Sequence, residues 1–128
     1  MADSISIEAL ATELATALAD YSEDVTEKVM KAIDEESKEA VKELQTESPK
    51  LTGSYAAGWT SKKSYTGKYS KVNVIHNKTD YQLTHLLEYG HAKRGGGRVA
   101  ARPHIKPVET RAIENLTRKV EDAANGNG

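Results

Sequence analysis

The chain has 128 residues and a mass of 14.0 kDa, room for one domain, with 38% hydrophobic residues, 29% charged residues and a net charge of −1. Cys is absent, which excludes disulfide scaffolds, thiol catalysis and cysteine-ligated zinc. No apolar run is long enough for a membrane-spanning helix, and Met1-Ala2-Asp3 opens no basic and apolar leader, so the expectation is a soluble intracellular domain without membrane contact.

In chain order, the first signal is a stripe of apolar residues at helical spacing: Ile7, Leu10, Leu14, Leu18, Tyr21, Val25, Val29, Ile33, Ala40 and Leu44. Glu, Lys and Ala fill the other face, and all favour helix. Ser4 or Ser6 can cap the start, and Ser48-Pro49 ends the helix. Asp20 with Glu23 offers a second cap, but the stripe keeps its phase, so a single helix over residues 1–48 is expected. Such a helix would span ~58 Å at 1.5 Å per residue, against a diameter of about 36 Å for a compact chain of this length. Leu14, Leu18, Tyr21, Val25, Val29 and Ile33 are therefore expected to meet a second copy.

After a turn at Thr52-Gly53 the period changes. Tyr55, Ala57 and Trp59 alternate with smaller residues, predicting a strand with one apolar face. Ser64–Ser70 reads as a hairpin connection, and Val72, Val74 and His76 alternate with Lys71, Asn73 and Ile75 in a second strand. Tyr81–Tyr89 returns to helical spacing, with Gly90 placed as a C-terminal cap. A flexible basic loop follows, Lys93-Arg94-Gly95-Gly96-Gly97-Arg98, then a short extended piece over Val99–Ile105. Pro107 suits the first turn of a last helix over 107–124. Asn125–Gly128 reads as a disordered tail. The fold class is α+β in one domain: a long N-terminal helix, a small antiparallel sheet with a short helix, and a C-terminal helix.

Charge is strongly segregated along the chain. Residues 1–48 hold thirteen acids and four bases, residues 49–106 eleven bases and two acids, and residues 107–128 three bases and four acids. Either the acidic helix neutralises a basic sheet within one fold, or the two surfaces meet across copies or meet nucleic acid.

The candidate chemistry is thin. His85, Glu88, His91 and His104 match no metal-binding spacing and read as ordinary polar histidines beside a lone acid, so no metal and no cofactor are expected. The run Arg94–Arg98 lacks the Gly-Lys-Ser/Thr ending of a nucleotide loop. Lys93, Arg94, Arg98, Arg102 and Lys106 can neutralise several phosphates, but no aromatic pattern for base readout accompanies them. Glu88, the only acid between Asp80 and Glu109, is expected to pair with Arg94, Arg98 or Arg102. No second carboxylate or nucleophile stands ready to work with it, so the chain is not expected to be an enzyme.

Three segments carry a resemblance. Pro49-Lys50-Leu51-Thr52-Gly53-Ser54-Tyr55 with Trp59, Tyr81 through Leu87-Glu88-Tyr89-Gly90-His91, and Ala101-Arg102-Pro103-His104-Ile105-Lys106-Pro107 occur in order over about residues 46–120. Together they resemble the small neck and tail-completion proteins of long-tailed bacteriophages and prophages, although His104 stands where that family more often has an aromatic residue.

The resemblance implies a structural virion protein at the head–tail junction or the head-proximal end of the tail, assembled in the host cytoplasm. It also implies a ring-forming homo-oligomer, such as a hexamer or dodecamer, with other connector and tail proteins as partners. Lys93, Arg94, Gly95, Gly96, Gly97, Arg98 and Arg102 would then face a neighbouring subunit or passing DNA. A small nucleic-acid-binding protein of no sequence preference is the second reading.

Overall fold

The computed structural model describes residues 12–17, 22–50, 53–68 and 70–126. Its elements in order are β1 (Thr12–Ala17), α1 (Glu23–Glu47), α2 (Ser54–Ala57), β2 (Trp59–Thr66), β3 (Ser70–Asn77), α3 (Tyr81–Tyr89), β4 (His91–Ala92), β5 (Arg98–Val99) and α4 (Ile105–Ala124). The class is α+β, as expected: a long helix, antiparallel sheet, a short helix and a C-terminal helix. No helix among the described residues is long and apolar enough to cross a membrane.

The long helix is shorter than its apolar stripe. Thr12–Ala17 is a strand, and α1 begins at Glu23, after Ser22, whose Oγ accepts the Val25 N–H at 3.3 Å. Glu23 and Asp24 in the first turn favour that terminus electrostatically. Twenty-five residues at 1.5 Å give ~37 Å, about the diameter of the domain, so the argument for oligomerisation from excess length does not stand. The stripe is also spent internally. Val29 and Ile33 are fully buried in this chain and Val25 packs beside Val29, while Leu14 lies on β1 and Leu18 and Tyr21 fall outside the described residues. The same holds for Ser4, Ser6 and Asp20 as caps, for Thr52 and for the last two residues of the tail.

β1, β3 and β2 form an antiparallel sheet in that order, with β3 central. The inward face of β3 carries Lys71, Asn73, Ile75 and Asn77, three polar residues for one apolar. Neighbours satisfy most of these polar groups, although the Asn73 Oδ1 is buried without a hydrogen-bond partner among the described residues. The Asn73 amide donates to Asp34 Oδ1 at 3.0 Å and Ser37 Oγ at 2.9 Å on α1, and Lys71 Nζ lies 3.4 Å from Asp34 Oδ1. Burial raises the Asp34 pKa, but the Asn73 hydrogen bond and the Lys71 and Lys63 charges outweigh it and hold the carboxyl below its ordinary value.

α1 packs on this sheet and, antiparallel, along α4. Ala32, Ile33, Ala40 and Leu44 meet Ile105, Val108, Ala112 and Leu116 in the main core. Charges line the same seam. Arg111 bridges Glu43 and Glu47, and Lys119 reaches Glu36 at 2.8 Å and Glu35 at 3.3 Å. Much of the acidity of the N-terminal half is thus neutralised by α4 and by Lys71 and Lys63 within one fold.

Tyr55 lies on no strand. Gly53 at φ +92° starts the short helical turn α2, and that turn brings Tyr55 and Trp59, four residues apart, to the same side. Their rings meet edge to face with centroids 5.7 Å apart, and Trp59 Nε1 donates to Ser48 Oγ at 2.8 Å. Asn77 Nδ2 donates to the Tyr55 carbonyl at 2.6 Å, while Asn77 Oδ1 accepts from the Asp80 N–H at 2.8 Å. The pair thereby ties α2 to the end of β3 and the start of α3.

Candidate interaction surface

α3 packs Leu83 and Leu87 against the core and leaves Gln82 and His85 exposed, but it also buries two polar residues. Thr84 and Glu88 are buried, while Tyr81, Leu86 and Tyr89 are 47%, 38% and 57% exposed. Thr84 Oγ1 donates to the Tyr81 carbonyl at 2.6 Å, which accounts for one of the two buried polar groups. Glu88 is needed elsewhere. α4 begins at His104-Ile105-Lys106-Pro107 with no Ser, Thr, Asp or Asn at its cap, so its first N–H groups need an outside acceptor. Glu88 supplies it: Oε1 accepts from the His104 N–H at 2.8 Å and the Ile105 N–H at 2.9 Å, and Oε2 from the Lys106 N–H at 3.0 Å. Pro107, the next residue, has no N–H to satisfy. The expected ion pair of Glu88 with an arginine of the loop is therefore replaced by a carboxylate cap on the positive end of a helix.

His104 completes the junction. Its Nδ1 faces the Arg102 carbonyl at 2.7 Å and so carries a proton, with Glu88 Oε1 3.2 Å away; its Nε2 forms a hydrogen bond with the Tyr55 hydroxyl at 2.7 Å. The imidazole also stands edge-on to Tyr55 and Trp59, with centroids 5.5 and 6.4 Å away. It fills a ring-shaped site and hydrogen-bonds at both nitrogens. Burial, and then the Glu88 charge, push the Tyr55 phenol well above its ordinary pKa of 10. An acid whose pKa is raised on folding loses stability above its unfolded pKa and keeps it below. Melting temperature should thus hold through neutral pH and fall progressively above about pH 10, and Tyr55→Phe should flatten that alkaline slope. An unchanged slope in the variant would contradict this reading of the network.

The chain leaves this junction and returns to it. Gly90 caps α3 at φ +76°, ψ 176°, and the Arg102 N–H donates back to the Leu87 carbonyl at 2.8 Å. In between, β4 and β5 form a two-residue hairpin, His91 opposite Val99 and Ala92 opposite Arg98, so the loop expected to be flexible has a defined turn. The Gly96 N–H donates to the Lys93 carbonyl at 3.2 Å and the Lys93 N–H to the Gly97 carbonyl at 3.0 Å. Gly96 and Gly97 take φ of +105° and +77°. Lys93, Arg94, Arg98 and Arg102 are all exposed, and no described carboxylate lies within ion-pair distance of any of them. A shallow cleft beside Arg102 is lined by Glu47, Ser48, Pro49, Lys50 and Pro103. There Lys50 Nζ donates to the Gln45 and Thr46 carbonyls at 2.8 and 2.9 Å, at the negative end of α1.

The structure thus brings together Trp59, Glu88, Gly90, Pro103 and Pro107 around the start of α4, and sets Tyr89 outward beside the hairpin. The four groups weighed for metal binding separate: His85 contacts Tyr89 with tilted rings, centroids 5.1 Å apart, His91 opens β4, and only Glu88 and His104 meet. Among the described residues no group of three His, Cys, Asp or Glu could hold a metal ion. From the sequence Tyr55 is legible only as a strand residue and part of the first family-like segment, Ser48 only as a helix stop and Asn77 only as a strand end; their hydrogen bonds give each a further role.

A comparison with curated proteins and with solved structures gives no match. A family model does match: "Bacteriophage HK97-gp10, putative tail-component", over residues 12–90, from β1 to the Gly90 cap. The hairpin and α4 follow the matched residues. The chain belongs to the HK97-gp10-like family of bacteriophage tail components.

Proposed function

We propose that this protein is a non-catalytic building block of the virion, placed at the head–tail junction or the head-proximal end of the tail, where copies form a ring that completes tail assembly. The observation that carries the reading is the orientation of α3. Leu83 and Leu87 of this helix pack against the core, yet beside the buried Thr84 and Glu88 a second apolar set, Tyr81, Leu86 and Tyr89, stays turned to solvent. Exposed tyrosines and leucine beside arginines have the composition of a contact surface between proteins. The same patch meeting a different patch on the next copy gives a heterologous contact, which closes into a ring when the rotation allows. Glu88 and His104, the buried ionisable pair, are committed to holding α4, which supports a structural role over a catalytic one.

Light scattering on the full chain tests the proposal. A discrete multimer is expected, and Leu86→Glu with Tyr89→Glu should reduce it to the 14.0 kDa monomer with little change in melting temperature. A monomer at every concentration, or a multimer unmoved by the double variant, would overturn it.

A further inference from the structure

We propose that the β4–β5 hairpin is a sequence-blind contact for the phosphate backbone of duplex DNA. The inference rests on the reading of this chain as a tail subunit, and it names the partner of one surface of that subunit. Its ground is where the charges go. Five of the nine acids of α1 are used inside the fold: Asp34 by Lys71, Glu35 and Glu36 by Lys119, Glu43 and Glu47 by Arg111. Asp24 pairs with Lys28 at 3.3 Å, and Glu23, Glu27 and Glu39 are offset in the charge count by Lys31, Lys38 and Lys42 of the same helix. A neighbouring α1 therefore offers little net negative surface to a basic partner.

The hairpin has no such internal partner. Lys93, Arg94 and Arg98, with Arg102 at the base, project from a narrow turn and meet no described carboxylate. The tip is also bare. A Cβ at Gly95, Gly96 or Gly97 would meet no atom within 4 Å, so crowding demands none of these glycines. Backbone geometry demands Gly96 and Gly97, but it does not demand Gly95. A tip free of side chains lets main-chain N–H groups and flanking guanidinium groups approach a phosphate closely. No Phe, Tyr or Trp stands on the hairpin for a base to stack on, and His91 lies at its base and not at the tip, which fits backbone contact without sequence readout.

The test is fluorescence anisotropy of a labelled mixed-sequence DNA duplex with the full chain, titrated from about 50 to 200 mM salt, the range over which phosphate contacts weaken steeply. Four contacts predict a slope of log K against log salt near −3.6, at about −0.9 per phosphate. Arg94→Glu with Arg98→Glu should weaken binding at least tenfold and reduce the slope by about two, with an unchanged melting temperature. Lys62→Glu with Lys78→Glu, exposed bases near the large sheet, should leave binding within about twofold if the hairpin is the surface. No binding at low salt, or equal losses from both pairs of variants, would overturn the proposal. So would a double hairpin variant that bound DNA normally but changed the solution mass, since the arginines would then meet the acids of a neighbouring α4. Failure of self-assembly with DNA binding intact would instead count against the ring and leave the hairpin assignment standing.

Discussion

Replacing Glu88 with alanine is expected to lower stability by about 3–5 kcal/mol, because it removes a buried carboxylate that other buried groups depend on. Three N–H groups at the start of α4 would lose their acceptor at once, and the His104 imidazole would lose its anionic neighbour. For a domain of this length the melting temperature should fall by roughly 10–20 °C. Glu88→Gln should recover part of the loss. Its amide oxygen can still serve His104 and Ile105, but its NH2 would face the Lys106 N–H donor to donor. Thermal unfolding followed by circular dichroism makes the measurement. An alanine variant within about 1 kcal/mol of the wild type would show that solvent, not Glu88, can satisfy that helix end.

Gly90→Ala should be nearly as damaging, for a reason of shape. At φ +76° and ψ 176° the backbone occupies a region open to glycine alone, and a side chain there costs about 1–3 kcal/mol. The added Cβ would also lie 2.6 Å from the Val99 carbonyl oxygen and 2.9 Å from the Ala101 nitrogen, both backbone atoms. Strand β5 must move away, which breaks the approach of Arg102 to Leu87. The expected total is about 3 kcal/mol or more, with faster hydrogen exchange at the Arg102 amide than at amides of α1. A melting temperature within about 2 °C of the wild type would contradict the crowding argument.

The sequence made some of this legible and concealed the rest for identifiable reasons. Gly90 was readable as a cap because it directly follows the last apolar residue of a helical pattern. The turn at Thr66-Gly67-Lys68 and strand β3 after it were readable, but the strand before the turn was expected around Tyr55–Thr60, whereas β2 runs Trp59–Thr66. β1 was not readable. Thr-Glu-Leu-Ala-Thr-Ala favours helix by composition and continues the apolar stripe in phase; it becomes a strand through backbone pairing with β3, and tertiary pairing outweighs local propensity. The helix start was missed by a wide margin: the unbroken stripe favours a single helix from Ser4 or Ser6 over a second cap at Asp20, whereas α1 begins at Glu23 behind Ser22, which carries the capping oxygen. For Glu88 the needed signal was present but unused. A helix opening on His-Ile-Lys-Pro has no acceptor of its own, and Glu88 was the only acid for many residues on either side. The inward polar face of β3 was beyond pattern reading, because Lys71 and Asn73 become suitable for burial only once Asp34 and Ser37 stand opposite.

The return of the chain at Arg102 to the point it left at Leu87 has a consequence for how this protein can change. The hairpin stands on a closed base: one hydrogen bond joins its two ends, and Glu88 fastens the residues just beyond. Its length and charge are thereby uncoupled from the body. Extra residues inserted at the tip would cost only about 0.6 kcal/mol for each doubling of the loop. A protease cut between Gly95 and Gly96 should likewise leave the two pieces held together as one folded particle. The tip can thus be exchanged like a tool on a fixed handle, its reach and charge open to alteration while the helices and sheet beneath keep their places.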